Sequence, residues 1–517
     1  MIRRVVSIAA ALVLLLSLAV PAQAHPHRSH HRGHDRGFQT DKDPYLTLAP
    51  DAPRGSFLKP IISVGDRVGR FRFEGIPDGI GLAPGRRGTV QTFVAHEQTT
   101  VPFFGEADFE DSSVSKLVLD RRARVRRARV ALPASAGFIR FCSAFMAGPY
   151  EGFRRYTFFV NEESNDVIDV PDGAPYGPDP AVAPQRQAGY TVAYDVRTGR
   201  YKQIAGMGRL NHENTVVIPG GWRKHSLWTT DDTFSAGTSQ LYMYLTRSIR
   251  DMYRDKGSLW AFQVTHDNDG RVRRRDPFNG ANDYLDIQPG DDFKGRFIRV
   301  PKRIARGNTD LPPQDALEQW SNDNNVFQFI RLEDLATDDH DPRTVYVADT
   351  GGTRIVPDPT TGRMVRGPDG TEGFADNGRI FKFEVSRHNP RKVTSFSVFA
   401  DGDVPETDET YVDMTSPDNL DTSRRSLMVQ EDTDNAKILR HDFRSGAWST
   451  VATVNDPDGE SSGIVDASRW FGRGAWLVNV QAHGTNVAER ATTDENGDPL
   501  LLKREDGQLL LMRIRGS

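Results

Sequence analysis

The chain has 517 residues, and its 66 lysines and arginines against 70 aspartates and glutamates leave a formal charge of −4, which argues against a broad basic surface for nucleic acid. A single cysteine excludes any intramolecular disulfide framework. With 46 glycines, 31 prolines and almost no helical periodicity, the composition fits a loop-rich, all-β chain.

Met1 to Ala24 reads as a secretory signal: Arg3 and Arg4 supply the charge, Ile8 to Val20 the apolar run, and Ala22-Gln23-Ala24 the small-residue cleavage site. The twin arginines are followed by Val5-Val6-Ser7, which leaves the choice between the unfolded and folded export routes open. Residues 25–44 carry His25, His27, His30, His31 and His34 in a polar, aperiodic setting and are expected to be disordered. No later run approaches the roughly 18 apolar residues that cross a bilayer. The mature chain is therefore expected to be secreted or periplasmic, free of the membrane and monomeric, with residues 45–517 as one domain. Arg121 to Arg129 is the densest basic run; arginines alternating with Val125 and Ala128 read as the solvent face of a strand.

A repeat organises the remainder. Apolar strands end on an acid, amide or histidine at Phe93–Glu97, Phe158–Glu162, Leu227–Asp231, Val345–Asp349, Leu427–Glu431 and Trp476–Gln481. Ahead of each lies a polar element: Pro77-Asp78-Gly79, Phe141-Cys142, His212-Glu213-Asn214, Arg331-Leu332-Glu333-Asp334, Pro417-Asp418-Asn419 and Gly459-Glu460-Ser461. Six such pairs predict a six-bladed β-propeller with the polar elements converging on its axis, the competing reading being a pair of sandwiches. One short helix is expected within residues 244–255. Segments 171–187, 266–315 and 357–376 are long for loops and are expected to act as lids or to shape a site.

Within this frame Cys142 is either a buried small hydrophobe or a metal thiolate. Arg331 and Glu333, two apart on a strand, face the same way and form an ion pair or divide phosphate and metal between them. His96 and His212 read as hydrogen-bond partners of the backbone, and Asp231, Asp349 and Asp432 as turn acids closing blades. No Ser-His-Asp triad, glycine-rich phosphate loop or zinc cysteine pair is present. A soft thiolate among carboxylates suits a transition metal, and clustered Asp, Glu and Asn suit calcium.

Cys142 with Glu162-Glu163, Gly208 to Glu213, Arg331-Leu332-Glu333, Ser416 to Leu420, Gln430-Glu431-Asp432 and Leu477 to Gly484 together resemble the PhoX-type alkaline phosphatases, in order from about residue 70 to 515. The resemblance implies an exported phosphomonoesterase on a six-bladed propeller, with two ferric ions and several calcium ions on the axis. It implies Cys142 as the iron thiolate, Glu213 and Glu333 as carboxylate ligands, and Arg331 as the holder of substrate phosphate. Glu162 or Glu163, Asp418 and Glu460 would bind calcium or support the ligands that do. Two departures stand out. Glu151-Gly152-Phe153-Arg154-Arg155-Tyr156 replaces a stretch resembling Trp-Gly-Thr-Trp, and His483-Gly484 replaces His-Pro-Gly. The altered loop keeps a phytase or phosphodiesterase open as a second reading, and a non-catalytic, calcium-stabilised binding propeller as a third.

Overall fold

The computed structural model describes residues 37–98, 105–169, 185–234, 237–272, 282–494 and 497–517. The signal segment, the histidine tract to residue 36 and most of the 171–187 insertion lie outside the described residues. The compact body begins at Gly37 rather than at residue 45. Phe38 bridges Val125 and Lys42 pairs with Asp506 at 2.8 Å, so residues 37–44 belong to it.

Most of the described strands assemble into six largely antiparallel units, each starting from one innermost strand: Pro77–Pro84, Phe141–Ala147, His212–Ile218, Leu332–Thr337, Pro417–Thr422 and Gly459–Asp466, with three two-stranded hairpins apart from them. The second strands are the acid-ended runs expected from the sequence, at Val90–His96, Thr157–Glu162, His225–Asp231, Thr344–Asp349, Ser426–Glu431 and Ala475–Thr493. Each innermost strand packs on that of the next unit, and the sixth packs back on the first, closing a ring. The ring is sealed by the N-terminal segment: Phe57–Ser63 pairs with Pro499–Arg513 of the sixth unit, and Leu46–Leu48 adds to the fifth. The fold is a β-propeller.

A strand sandwiched between neighbouring units is buried on both faces, which is why several second strands read as apolar runs rather than as clean alternation. Thr157–Glu162 and Ser426–Glu431 are buried at every residue. A separate apolar cluster fills each interface around the ring. The largest, between the third and fourth units, stacks Trp228, Phe262, Phe297, Phe383 and Phe396 edge-to-face and face-to-face. The sixth and first units meet through Ile61, Ile80, Val94, Leu477 and Leu509.

The insertions behave differently from one another. Within 266–315, strand Phe293–Arg299 bridges the outer strands Ser258–Asp267 and Lys392–Asp401, joining the third and fourth units into one sheet. Helix Pro313–Asp323, with proline in its first turn, was missed by the sequence reading because it falls in a proline- and aspartate-rich stretch. The helix expected within 244–255 is confined to Ile249–Tyr253, since residues 241–246 continue a strand. The 357–376 segment contributes to a hairpin, Ile355–Pro357 with Met364–Arg366, beside Arg331.

Candidate active site

Every innermost strand is irregular near its start. Pairing slips between Pro77 and Ile80, Phe141 and Ala144, His212 and Thr215, Leu332 and Leu335, and Pro417 and Leu420, and slightly later, between Ser462 and Ile464, in the sixth unit. Such bulges break the alternation of the pleat and re-aim a side chain. The residues set at this point are Asp78, Cys142, Glu213, Glu333 and Asp418; in the sixth unit Glu460, paired with Gln481, precedes the slip. All are buried except Glu460, whose side chain is 14% exposed.

A second set of side chains comes from the residue just after the second strand in five units, Glu97, Glu163, Asp232, Thr350 and Asp432, while in the sixth unit His483 lies within the longer strand Ala475–Thr493. A backbone bond fixes this turn in five units: the N–H of Glu97, Glu163, Asp232, Thr350 and Asp432 donates to the carbonyl of Ile76, Arg140, Asn211, Arg331 and Ser416, at 2.9–3.0 Å. Ile76, Arg140 and Ser416 hold φ of 44°, 44° and 47° to make it, a left-handed conformation uncommon away from glycine.

The strand-terminal residues themselves point aside and tie down the same turns. Both oxygens of Glu162 accept backbone N–H groups, from Ile139 at 3.2 Å and Tyr190 at 3.1 Å. Asp349 accepts from Ile330, Arg331 and Gly351, and Glu431 from Thr415 and Lys437. Asp231 takes Thr233 and Gln314. His96 lies between the Gly75 carbonyl and the Ser115 hydroxyl, and His212 between the Gly208 carbonyl and Thr229; burial lowers both to a pKa of about 4, so they are neutral structural residues, as expected.

The ligand-type atoms form an unbroken chain. Asp78, Glu97 and Cys142 bring one atom each within 4.8 Å of one another; so do Cys142, Glu163 and Glu213, and again Glu213, Glu333 and Asp418. Cys142 Sγ donates to Asp78 Oδ2 at 3.2 Å. Gln481 Nε2 reaches both Asp78 and Glu97, at 3.3 and 3.2 Å. Glu460 stands at the edge, 3.7 Å from His483 Nε2, whose other nitrogen bonds Glu505. Beneath this level a neutral and acidic network seals the channel: Asn214 donates to Asp334, Leu420 N to Asp334 at 3.1 Å, and Asn419 Nδ2 to Ser143 Oγ at 2.6 Å.

Arg331 is not an isolated clamp. Its guanidinium forks onto Asp232, Nε to Oδ1 at 2.9 Å and Nη2 to Oδ2 at 2.7 Å, and Nη2 lies 3.1 Å from Glu333. The shared facing of Arg331 and Glu333 stands, but the fork is occupied by Asp232, a residue the sequence reading passed over.

So many buried acids cannot all ionise unaided. Burial raises Asp78 to about 6 and, with the charge of Asp78, raises Glu97 to about 8. Burial and then the neighbouring Asp78 hold the Cys142 thiol well above its usual range. Burial first, and then mutual repulsion, holds Glu163, Glu213, Glu333, Asp418 and Glu460 well above the carboxylate range. Both oxygens of Glu213 and one of Asp78 are buried with no hydrogen-bond partner. Orphaned oxygens in a crowd of like charge are what bound cations would satisfy. The donor set fits: a thiolate with carboxylates at one end suits a transition metal, and an all-oxygen group at the other suits a hard cation.

The sequence pattern of the PhoX alkaline phosphatase family matches residues 159–468. The chain belongs to the PhoX family and is a phosphatase. The match takes in Glu163, Glu213, Arg331, Glu333, Asp418 and Glu460, while Asp78, Glu97 and Cys142 lie ahead of it. Among solved structures, Pseudomonas fluorescens PhoX in complex with vanadate, a transition state analogue, is 16% identical, with a TM-score of 0.61, and 93% of this chain and 98% of that chain are covered. The periplasmic gluconolactonase PpgL of Pseudomonas aeruginosa (12% identity, TM-score 0.35, 85% and 88% covered) and the GH93 α-L-arabinofuranosidase of Fusarium graminearum with arabinobiose (8%, 0.38, 87% and 97%) are more distant, and carry nothing about the chemistry. No curated protein matches the sequence.

The PhoX frame gives the departures a location. Gly148 to Glu151 and Tyr156, around the altered 151–156 stretch, line a cavity of about 410 Å³ at the other end of the channel, with Asp334, Leu335 and Asp466. That loop therefore lines a cavity apart from the acidic cluster. Asp232 is the site residue the sequence reading did not name; Asp78 and Glu97 were read only as parts of the repeat, and Asp432 as an acid at a strand end. Asp232 directly follows the recognised acid-ended strand Leu227–Asp231, so its signal was present one residue further on.

Proposed function

We propose that this phosphatase is an exported, metal-dependent phosphomonoesterase whose iron and calcium ions sit along the chain of buried donors from Asp78 to Asp418. The observation that carries the proposal is the continuity of those donors, with orphaned Glu213 oxygens at the centre and Arg331 at the margin. We read the six units as the six blades. Cys142, Glu163, Glu213 and Glu333 are the residues to hold iron, and Asp78, Glu97, Asp418, Asp432 and Glu460 those to hold calcium. Glu162 is withdrawn from the ligand set because its oxygens serve backbone amides. The cations, when bound, supply Lewis-acid attraction for a phosphoryl group and offset charge on the departing oxygen.

The chain's own residues then bind and orient. Asp232 fixes the plane of the Arg331 guanidinium, and Glu333 fixes its rotation, so Nη1 is presented already aligned for an incoming phosphate oxygen. Arg331→Lys keeps the charge but loses the planar fork. The expected outcome is unchanged metal content with a fall in kcat/KM equivalent to about 2–3 kcal/mol. Wild-type turnover in the variant would leave Arg331 as no more than a partner of Asp232.

The reading as a whole is tested by metal analysis of protein purified without chelator, together with hydrolysis of a phosphomonoester and a phosphodiester. Iron and calcium bound in defined ratio, with preference for the monoester, support it. Calcium without iron, or equal diester hydrolysis, would overturn it.

A further inference from the structure

The second set of side chains around the cluster is not uniform. Glu97, Glu163, Asp232 and Asp432 place carboxylates there, but the fourth unit supplies Thr350. Its Oγ1 is buried with no hydrogen-bond partner, and its N–H is held by the carbonyl of Arg331 at 2.9 Å. The acidic surround is thus interrupted by a neutral hydroxyl beside a cation. An anionic ester meets the least repulsion there.

A cavity of about 320 Å³ opens directly beyond this gap, bounded by Phe234, Ile330, Arg331, Ile355 and Arg366 with Asp376 at its rim; small-molecule sites typically span about 300–1,000 Å³. The chain leaves Thr350 through Gly351, at φ 77°, where a Cβ would lie 2.3 Å from the Ala375 carbonyl. A larger residue there would be strained and would collide with that carbonyl. Ile330 and Ile355, each 1% exposed, form an apolar floor. Phe234 is 49% exposed, unusual for so large an apolar side chain beside a polar centre, and its ring lies 5.0 Å from the Arg331 guanidinium carbon. Arg366 is held on the wall by Thr353 Oγ1 at 3.2 Å.

We propose that this cavity is the leaving-group subsite and that Phe234 makes it select phosphate esters of planar aromatic alcohols over those of small polyols. The inference rests on the phosphomonoesterase reading above. With the phosphoryl group on Arg331 beside Thr350, the ester substituent projects into the cavity, where an aromatic ring finds the Phe234 face and the isoleucine floor. A glycerol moiety gains neither.

The test compares kcat/KM for phenyl phosphate and glycerol 2-phosphate in the metal-loaded wild type, Phe234→Ala and Phe234→Tyr. Phe234→Ala is expected to lower the phenyl-to-glycerol ratio about tenfold, as the loss of one aromatic contact does, and Phe234→Tyr to restore it. If Phe234 merely supports Arg331, both esters lose equally and the ratio is unchanged, which overturns the subsite. Hydrolysis of neither ester by the wild type would overturn the phosphomonoesterase reading and the subsite with it.

Discussion

Cys142→Ser is expected to strip the thiolate-bound metal and to lower phosphatase activity at least about 100-fold, while the far-ultraviolet circular dichroism stays that of the wild type. The sulfur belongs to two of the three ligand groups, one with Asp78 and Glu97 and one with Glu163 and Glu213, so its loss disturbs both. Removing only a supporting partner of a metal ligand costs about 10–100-fold in affinity or activity, and a direct ligand should cost no less. Serine is nearly isosteric and would remain unionised in this setting, because even the thiol is held protonated by burial and the surrounding acids until a cation arrives. Metal content by mass spectrometry and the thiolate-to-metal absorption band are the measurements. Full metal occupancy and activity in the serine variant would reduce Cys142 to a buried packing residue.

Chelation is expected to lower the melting temperature by several degrees, and by more as the pH rises from about 5 to 8. An ion present at a thousandfold its dissociation constant contributes roughly 4 kcal/mol to the folded state, and its removal leaves mutually repelling carboxylates. The pH dependence follows from the direction of their shifts. A carboxyl raised in the folded chain keeps a proton that the unfolded chain has already released, so stability is greatest at low pH and is lost as the pH climbs through the raised value. In the chelated protein that window opens near the ordinary carboxylate range, passes about 6 for Asp78 and reaches about 8 for Glu97. In the loaded protein the cations take the place of those protons and the dependence flattens. Melting curves with and without chelator should therefore diverge with pH; parallel curves would count against cations at these residues.

The sequence by itself determined the β class, the six polar starts with their acid-ended partner strands, and the residue types offered at the axis. Hydrophobic runs and glycine- and proline-rich turns are local properties, and Asp78, Cys142, Glu213, Glu333, Asp418 and Glu460 were visible as members of one repeat. Only the tertiary structure decided which of two adjacent acids faces the cluster. Glu162 and Glu163, Asp231 and Asp232, and Glu431 and Asp432 are alike in composition. The first of each pair is spent on tying down the turn, Glu162 and Glu431 through backbone amides and Asp231 through Thr233 and Gln314, and the second is turned inward. The turn that follows each second strand sets this facing through a backbone bond to the neighbouring innermost-strand entry, and no alternation of apolar and polar residues records it. Ring closure was equally out of reach: Gln481 of the sixth unit meets Asp78 of the first only because the ends of the chain are packed around one axis, and Arg331 meets Asp232 only because two consecutive units pack side by side. Pairings between such distant residues are set by the packing of whole units, and no local stretch of sequence encodes them.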